Sequence, residues 1–188
     1  MLEREESVLV VVDAQPGFHR GRDADVTDIL ARIAWVVGVA AALGIPIVVT
    51  EEDAGRNGAT EPEIVKCLPS TTPVLPKPVF GLAGDPAILA ALVATGRRSV
   101  VLVGMETDVC VAQSALGLLD HGMRVAVVAD ASYSPGTMHE HGLRRIADAG
   151  GSVIHAKGLY YEWIRTLDAA RAFERANPEL SDPPGFSL

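Results

Sequence analysis

The stretch SVVLVGMETDVCVAQSALGLLDHGMRVAVVAD, residues 99–130, decides the fold. Its two ends, SVVLVG at 99–104 and RVAVVAD at 124–130, are short runs rich in Val with no polar alternation. Such runs read as strands buried on both faces. Between them, 109–121 has helical periodicity and stops at Gly122, a residue suited to a helix C-terminus. Strand, helix and strand in this order form a crossover unit, whose strands pair in parallel and whose connection is right-handed.

The same pattern extends in both directions. Further strand-like runs are SVLVVVD at 7–13, IPIVVT at 45–50, TPVLP at 72–76 and SVIHA at 152–156. Helical periodicity covers 25–43, 86–95 and 137–149, with Gly44, Gly96 and Gly150 at or just past the ends, and short helices are expected near 61–66 and 168–176. Six strands alternating with helices predict an open α/β fold. Its expected form is a six-stranded, mainly parallel sheet of order 3-2-1-4-5-6 with helices on both faces, a Rossmann-like three-layer sandwich. The 188 residues fit one domain, with a core over about 6–165 and a loosely packed tail over 166–188 that packs lightly or crosses to a neighbour. The segment 51–71, rich in Gly, Pro and charge, reads as a wall or lid over a site.

Composition excludes several classes. With 24 acidic against 16 basic side chains and a net charge of −8, the chain has no electrostatic footprint for nucleic acid. The longest apolar run, near 33–50, is broken by Gly38, Gly44 and Pro46, and the charged residues 1–8 do not read as a signal peptide. A cytoplasmic protein without a membrane partner is the expectation. Two cysteines, Cys67 and Cys110, without metal-ligand spacing read as free thiols.

In an open doubly wound sheet, ligands bind beyond the carboxyl ends of the strands where the strand order reverses. Asp13 ends the first strand, Lys77 follows the third between Pro76 and Pro78, and Cys110 begins the helix after the fourth. With strands one and four as neighbours, Asp13 and Cys110 converge. A thiol in the first turn of a helix lies near the positive end of the macrodipole, which favours the nucleophilic thiolate. Other roles exist for each residue: a small core residue for Cys110, a turn cap through Gln15 and Gly17 for Asp13, a solvated cation for Lys77. Cys67, in the variable loop, has only the core or surface role.

These three residues and their surroundings resemble the isochorismatase-like cysteine hydrolase superfamily, which includes nicotinamidases, N-carbamoylsarcosine amidases and small isochorismatase-domain hydrolases of unassigned substrate. The resemblance rests on VLVVVDAQPGF at 8–18, LPKPVFG at 75–81 and VVLVGMETDVCVAQSALGLLDHGMRVAVVADA at 100–131, in that order. It implies Cys110 as nucleophile, Asp13 as general base and Lys77 as the supporting cation. It also implies a cis peptide at Met105–Glu106 and an oxyanion hole from the backbone N–H groups of Glu106 and Cys110. The implied reaction is hydrolysis of a small carboxamide or related C–N bond through a thioester, with no cofactor, in a homo-oligomer. Gln15, Phe18, Glu52, Phe80, Thr107 and Tyr133, at or near strand ends, are candidates to line the substrate pocket.

Nicotinamidases carry an Asp-x-His metal motif after the second strand, whereas VVTEEDAGRNG at 48–58 has no histidine. A metal-independent reaction is therefore expected. His139 and His141, two apart on one helix, do not share a face and form no metal pair. Isochorismatases proper lack the cysteine, so Cys110 points away from vinyl-ether cleavage. A non-catalytic protein that keeps the fold to bind a metabolite or partner protein is the alternative from another class. A dinucleotide-binding protein is disfavoured, because the turn after the first strand reads DAQPGF and not G-x-G-x-x-G.

Overall fold

The structure is a computed structural model that describes residues 1–21 and 23–188, with the backbone alone for 23–25. Its strands are β1 (Ser7–Val12), β2 (Ile47–Glu51), β3 (Val74–Pro76), β4 (Ser99–Met105), β5 (Arg124–Tyr133) and β6 (Ser152–Ile154). The helices are α1 (Asp23–Ala42), α2 (Ala54–Asn57), α3 (Pro62–Val65), α4 (Pro86–Ala94), α5 (Ala112–Asp120), α6 (Met138–Asp148), α7 (Ala156–Ile164) and α8 (Leu167–Ala176). The six strands form one sheet of order β3-β2-β1-β4-β5-β6, and every pairing is parallel. The strand order reverses between β1 and β4, as the sequence pattern predicts.

The period-two geometry of a strand divides the core into two layers. Leu9 and Val11 of β1, with Val101 and Val103 of β4, face the layer built by α1, α7 and α8. Val8, Val10 and Val12, with Val100 and Leu102, face the opposite layer with Leu92 of α4, Leu118 of α5 and Ile146 of α6. Every residue of β1 and β4 is buried, which accounts for runs that show no polar alternation.

Local signals set the helix starts. Asp85 caps α4, accepting from the N–H groups of Ala87 and Ile88, with Pro86 at the first position. Thr166 caps α8 through the N–H of Ala169.

Three expectations need correction. The 51–71 segment holds a second short helix, α2, besides the one expected near 61–66. Helix α7 was not predicted; its sequence AKGLYYEWI contains Gly158 and aromatics, all weak helix formers. Packing stabilises it, because Tyr160 and Trp163 are buried and the Tyr160 and Trp35 rings lie 5.9 Å apart. The tail also packs on its own domain. Trp35 Nε1 donates to the Leu180 carbonyl at 2.9 Å, Arg32 donates to the Pro184 carbonyl, and Phe186 meets Trp35 edge-on at 5.3 Å.

Gly104 sits where β4 turns toward the site. It pairs with Val12 on one side, its φ is +121°, and the register with β5 shifts between Leu102 and Gly104. A Cβ there would lie 2.0 Å from the Val12 carbonyl oxygen. Gly104→Ala is expected to lower unfolding free energy by roughly 2–6 kcal/mol, combining backbone strain with steric overlap. Urea denaturation followed by circular dichroism measures this, and a loss below about 1 kcal/mol would contradict it.

Candidate active site

Five side chains from four strand ends meet at the carboxyl edge of the sheet, at the reversal between β1 and β4. Asp13 follows β1 with a left-handed φ of +46°, a conformation that Asp tolerates better than most residues. Its Oδ1 accepts a hydrogen bond from Thr50 Oγ1, at the end of β2, at 2.9 Å. The side chain is fully buried and makes this contact in place of a turn cap. Lys77 arrives from β3, its backbone N–H tied to the Glu51 carbonyl at 2.8 Å. Its ammonium lies 2.8 Å from Asp13 Oδ2 and donates to the carbonyls of Val79 at 2.7 Å and Phe80 at 3.2 Å. Oδ2 meets the ammonium as a close charge contact without hydrogen-bond alignment, so it retains capacity to accept a proton.

Cys110 completes the cluster. Its Sγ lies 3.6 Å from Lys77 Nζ and 3.4 Å from Glu52 Oε2, and Glu52 Oε2 is 3.7 Å from the same ammonium. Sγ and one carboxylate oxygen from each of Asp13 and Glu52 lie within 4.8 Å of one another. Such a donor set suits a cation, and the Lys77 ammonium is the cation that sits among them.

The turn that presents Cys110 differs from the expected first turn of an α-helix. Thr107–Val111 is a π-helical turn leading into α5, and the Met105–Glu106 peptide before it is cis. The Glu106 carbonyl accepts from the N–H of Val109 at 3.2 Å and of Val111 at 2.9 Å. The turn is pinned from outside by Thr107 Oγ1 to His139 Nδ1 at 2.9 Å and by Ser134 Oγ, which donates to Asp108 Oδ1 at 2.6 Å. From below, Ser114 Oγ donates to the Cys110 carbonyl at 2.5 Å.

Electrostatics correct the expectation of a thiolate held by a helix dipole. Burial pushes the Cys110 thiol far above its ordinary value, the Asp13 charge adds to this, and Lys77 opposes it without prevailing. The resting group is a thiol. Burial also raises the Asp13 carboxyl, with Lys77 and Thr50 pulling the other way. For Lys77 burial opposes the charge, but the adjacent Asp13 outweighs it and the ammonium is held more firmly than in water. A base with a raised pKa beside a protonated nucleophile is arranged for proton transfer during attack.

A cleft of about 670 Å³ opens onto this cluster beside β3. Its walls are largely apolar, with Val74, Leu75, Val79, Phe80 and Ile88, and Lys77 and Glu52 lie at its inner end. Of the six pocket candidates, Glu52 and Phe80 line it. The other four do not. Phe18 and Tyr133 pack on the α1 side of the core, and Thr107 is buried against His139. Gln15 instead fixes the wall: its Oε1 accepts from Glu52 N–H at 2.8 Å, and its Nε2 donates to the carbonyls of Glu52 at 3.1 Å and Gly58 at 2.5 Å. Glu51 turns the other way and accepts from the Thr60 N–H and hydroxyl at 2.7 and 2.8 Å. The segment after β2 is thus a tied-down wall. Thr50 was missed in the sequence; its signal was a hydroxyl residue at the end of a strand adjacent to the one ending in Asp13.

An open doubly wound α/β domain with ionisable side chains gathered at its topological switch point has the layout of an enzyme. The chain belongs to the isochorismatase family: the isochorismatase domain model matches residues 7–157. It is 34% identical over 161 residues to the secreted isochorismatase effector Isc1 of Phytophthora sojae, covering 83% of this chain and 76% of that protein. In structure it is similar to the MAR1 ribonuclease of Caenorhabditis elegans, with a TM-score of 0.83 at 24% identity over 100% of this chain and 97% of that one. It is also similar to the Escherichia coli YcaC product, described as an octameric hydrolase of unknown specificity, with a TM-score of 0.82 at 23% identity over 95% and 92% of the two chains. Among the described residues no helix is long and apolar enough to cross a membrane.

Proposed function

We propose that the protein is a cysteine hydrolase that cleaves a small carboxamide or related C–N bond. One observation carries the reading: a buried carboxylate, ammonium and thiol from three separate strand ends converge, with Lys77 Nζ 2.8 Å from Asp13 and 3.6 Å from Cys110 Sγ, and with an Asp13 carboxylate oxygen within 4.8 Å of Sγ. Asp13 takes the thiol proton as Sγ attacks the carbonyl carbon, so a preformed thiolate is unnecessary. Lys77 balances the negative charge that this proton transfer moves through the site. The backbone N–H groups of Glu106 and Cys110 receive the developing oxyanion. The C–N bond breaks, the leaving nitrogen takes the proton from Asp13, and a thioester remains on Cys110. Water, deprotonated by Asp13, then adds to the thioester, and the Sγ–C bond breaks to release the acid as Asp13 returns that proton to Sγ, restoring the thiol and the ionised carboxylate.

Neither a metal nor a cofactor has a step in this scheme. A screen of small amides for ammonia release tests it, with the expectation that turnover survives exhaustive EDTA. Activity lost to the chelator and restored by zinc would overturn metal independence; a broad amide panel with no release would count against amidase activity.

The non-catalytic reading draws on Cys110 being 1% exposed and its thiol held protonated. It requires that no acyl group ever reach Sγ, whereas the cleft leads to Lys77 and Glu52, which touch that atom. A ribonuclease activity, as ascribed to the nematode neighbour, is opposed here by the net charge of −8 and by the acidic inner end of the cleft. We place the protein in a reducing compartment such as the cytoplasm, since Cys67 and Cys110 are both unpaired. We further propose a homo-oligomer, in line with the octamer described for the E. coli neighbour.

A further inference from the structure

We propose that Glu52 sets the charge class of the substrate: the cleft admits small neutral or cationic carboxamides with an apolar body and rejects those that carry a carboxylate. This inference rests on Cys110 being the nucleophile.

Charge at the inner end is unbalanced. Two carboxylates, Asp13 and Glu52, share the single Lys77 ammonium at 2.8 and 3.7 Å, which leaves one negative charge in excess around a protonated thiol. Asp13 is shut away behind Lys77 with its side chain fully buried, whereas the Glu52 side chain is 24% exposed and lines the cleft. Glu52 is therefore the carboxylate that an incoming molecule meets. Its position is also fixed. Gln15 holds its backbone on both sides and Asn57 Nδ2 donates to its carbonyl at 2.9 Å, which keeps the residue anchored at this end of the cleft.

Distance makes the effect unavoidable. Glu52 Oε2 is 3.4 Å from Sγ, so any carbonyl carbon in bonding range of the sulfur lies within a few ångströms of that carboxylate. The other charged side chains along the cleft, Asp53 and Asp85, are also acids, and Lys77 is the one cation among its lining residues. That lysine is already committed to Asp13. Apolar walls weaken solvent screening, which strengthens repulsion of an anion. By the same geometry, the Glu52 carboxylate accepts from an amide N–H or an ammonium on the substrate.

The test needs no known substrate. Cys110 is modified with iodoacetamide (neutral) and iodoacetate (anionic), and separately with 2-aminoethyl and 2-sulfonatoethyl methanethiosulfonate. Rates at Cys110 are read by peptide mass spectrometry, which separates it from Cys67, and each is divided by the rate of the same reagent with glutathione. The neutral alkylator is expected to outpace the anionic one by about tenfold or more, and the aminoethyl reagent to lead the sulfonatoethyl one by more. Glu52→Gln should reduce both ratios to within about threefold of unity. Glu52→Asp, which keeps the charge and shows whether the site tolerates substitution, should retain the preference. Equal normalised rates in the unaltered protein, or a preference that persists in Glu52→Gln, would overturn the role of Glu52 while leaving Cys110 as nucleophile. Failure of every reagent at Cys110 in the folded protein would overturn both.

Discussion

Lys77→Met is expected to destabilise the protein by about 3–5 kcal/mol, because it strands Asp13 as a buried carboxylate without a counter-charge. The Lys77 and Asp13 side chains are both fully buried, and their contact is 2.8 Å. For a chain of this size, each kcal/mol shifts the melting temperature by about 2–4 °C, so a drop of roughly 6–20 °C should follow. Methionine fills a volume similar to the lysine stem, so the loss reports the charge and its hydrogen bonds to Val79 and Phe80 more than a cavity. Adding Asp13→Asn should recover part of the loss, since the two variants remove both halves of one pair. Thermal and urea unfolding of the two single variants and the double variant measures this. A Lys77→Met protein within 1 kcal/mol of the parent, or strictly additive losses, would show that the pair is not energetically coupled.

Cys110→Ala is expected to abolish turnover, by on the order of 10⁴-fold or more once a substrate is in hand, with little change in fold. The stability cost should be small, about 1 kcal/mol, because the substitution removes one buried sulfur and leaves Ser114 bound to the residue 110 carbonyl. The pH profile of the parent adds a signed check. Asp13 must be ionised to accept the thiol proton, and burial raises its carboxyl. Activity should therefore rise with pH along an acid limb displaced above the ordinary aspartate value. A Cys110→Ala protein that retains turnover, or an acid limb below that value, would contradict the assignment of nucleophile and base.

The parts of the site that were legible in the sequence are those fixed by topology. A strand buried on both faces must be apolar throughout, so β1 and β4 announced themselves, and the first polar residue after each strand fell at the carboxyl edge. That logic brings Asp13 and Lys77 to one edge, whereas Cys110, which lies beyond Glu106, Thr107 and Asp108, stands out only by its place at a helix start and by the family motif around it. Whatever depends on register or tertiary contact was not legible. Adjacent Glu51 and Glu52 had to point to opposite sides of an extended segment, but only the structure shows that Glu51 binds Thr60 and Glu52 meets the thiol. Gln15 and Tyr133 sit near strand ends as pocket residues would, yet Gln15 is claimed by the backbone of Glu52 and Tyr133 by the core. Helix α7 and the tail exist because Trp35, Tyr160 and Phe186 pack together across long sequence separations.

The strand order also imposes a sequence of events during synthesis. Strand β1 is made first but lies at the centre of the sheet, between β2 and β4. Its second neighbour does not exist until residue 99 and beyond have been translated, since Ser7 pairs with Ser99. Until then the nascent chain holds Val8–Val12, five consecutive branched apolar residues, with one row of peptide groups unpaired. A half-made chain thus presents the kind of edge on which other chains add as strands. A polypeptide released or cleaved before β4 emerges is therefore expected to be more inclined to aggregate than the full chain.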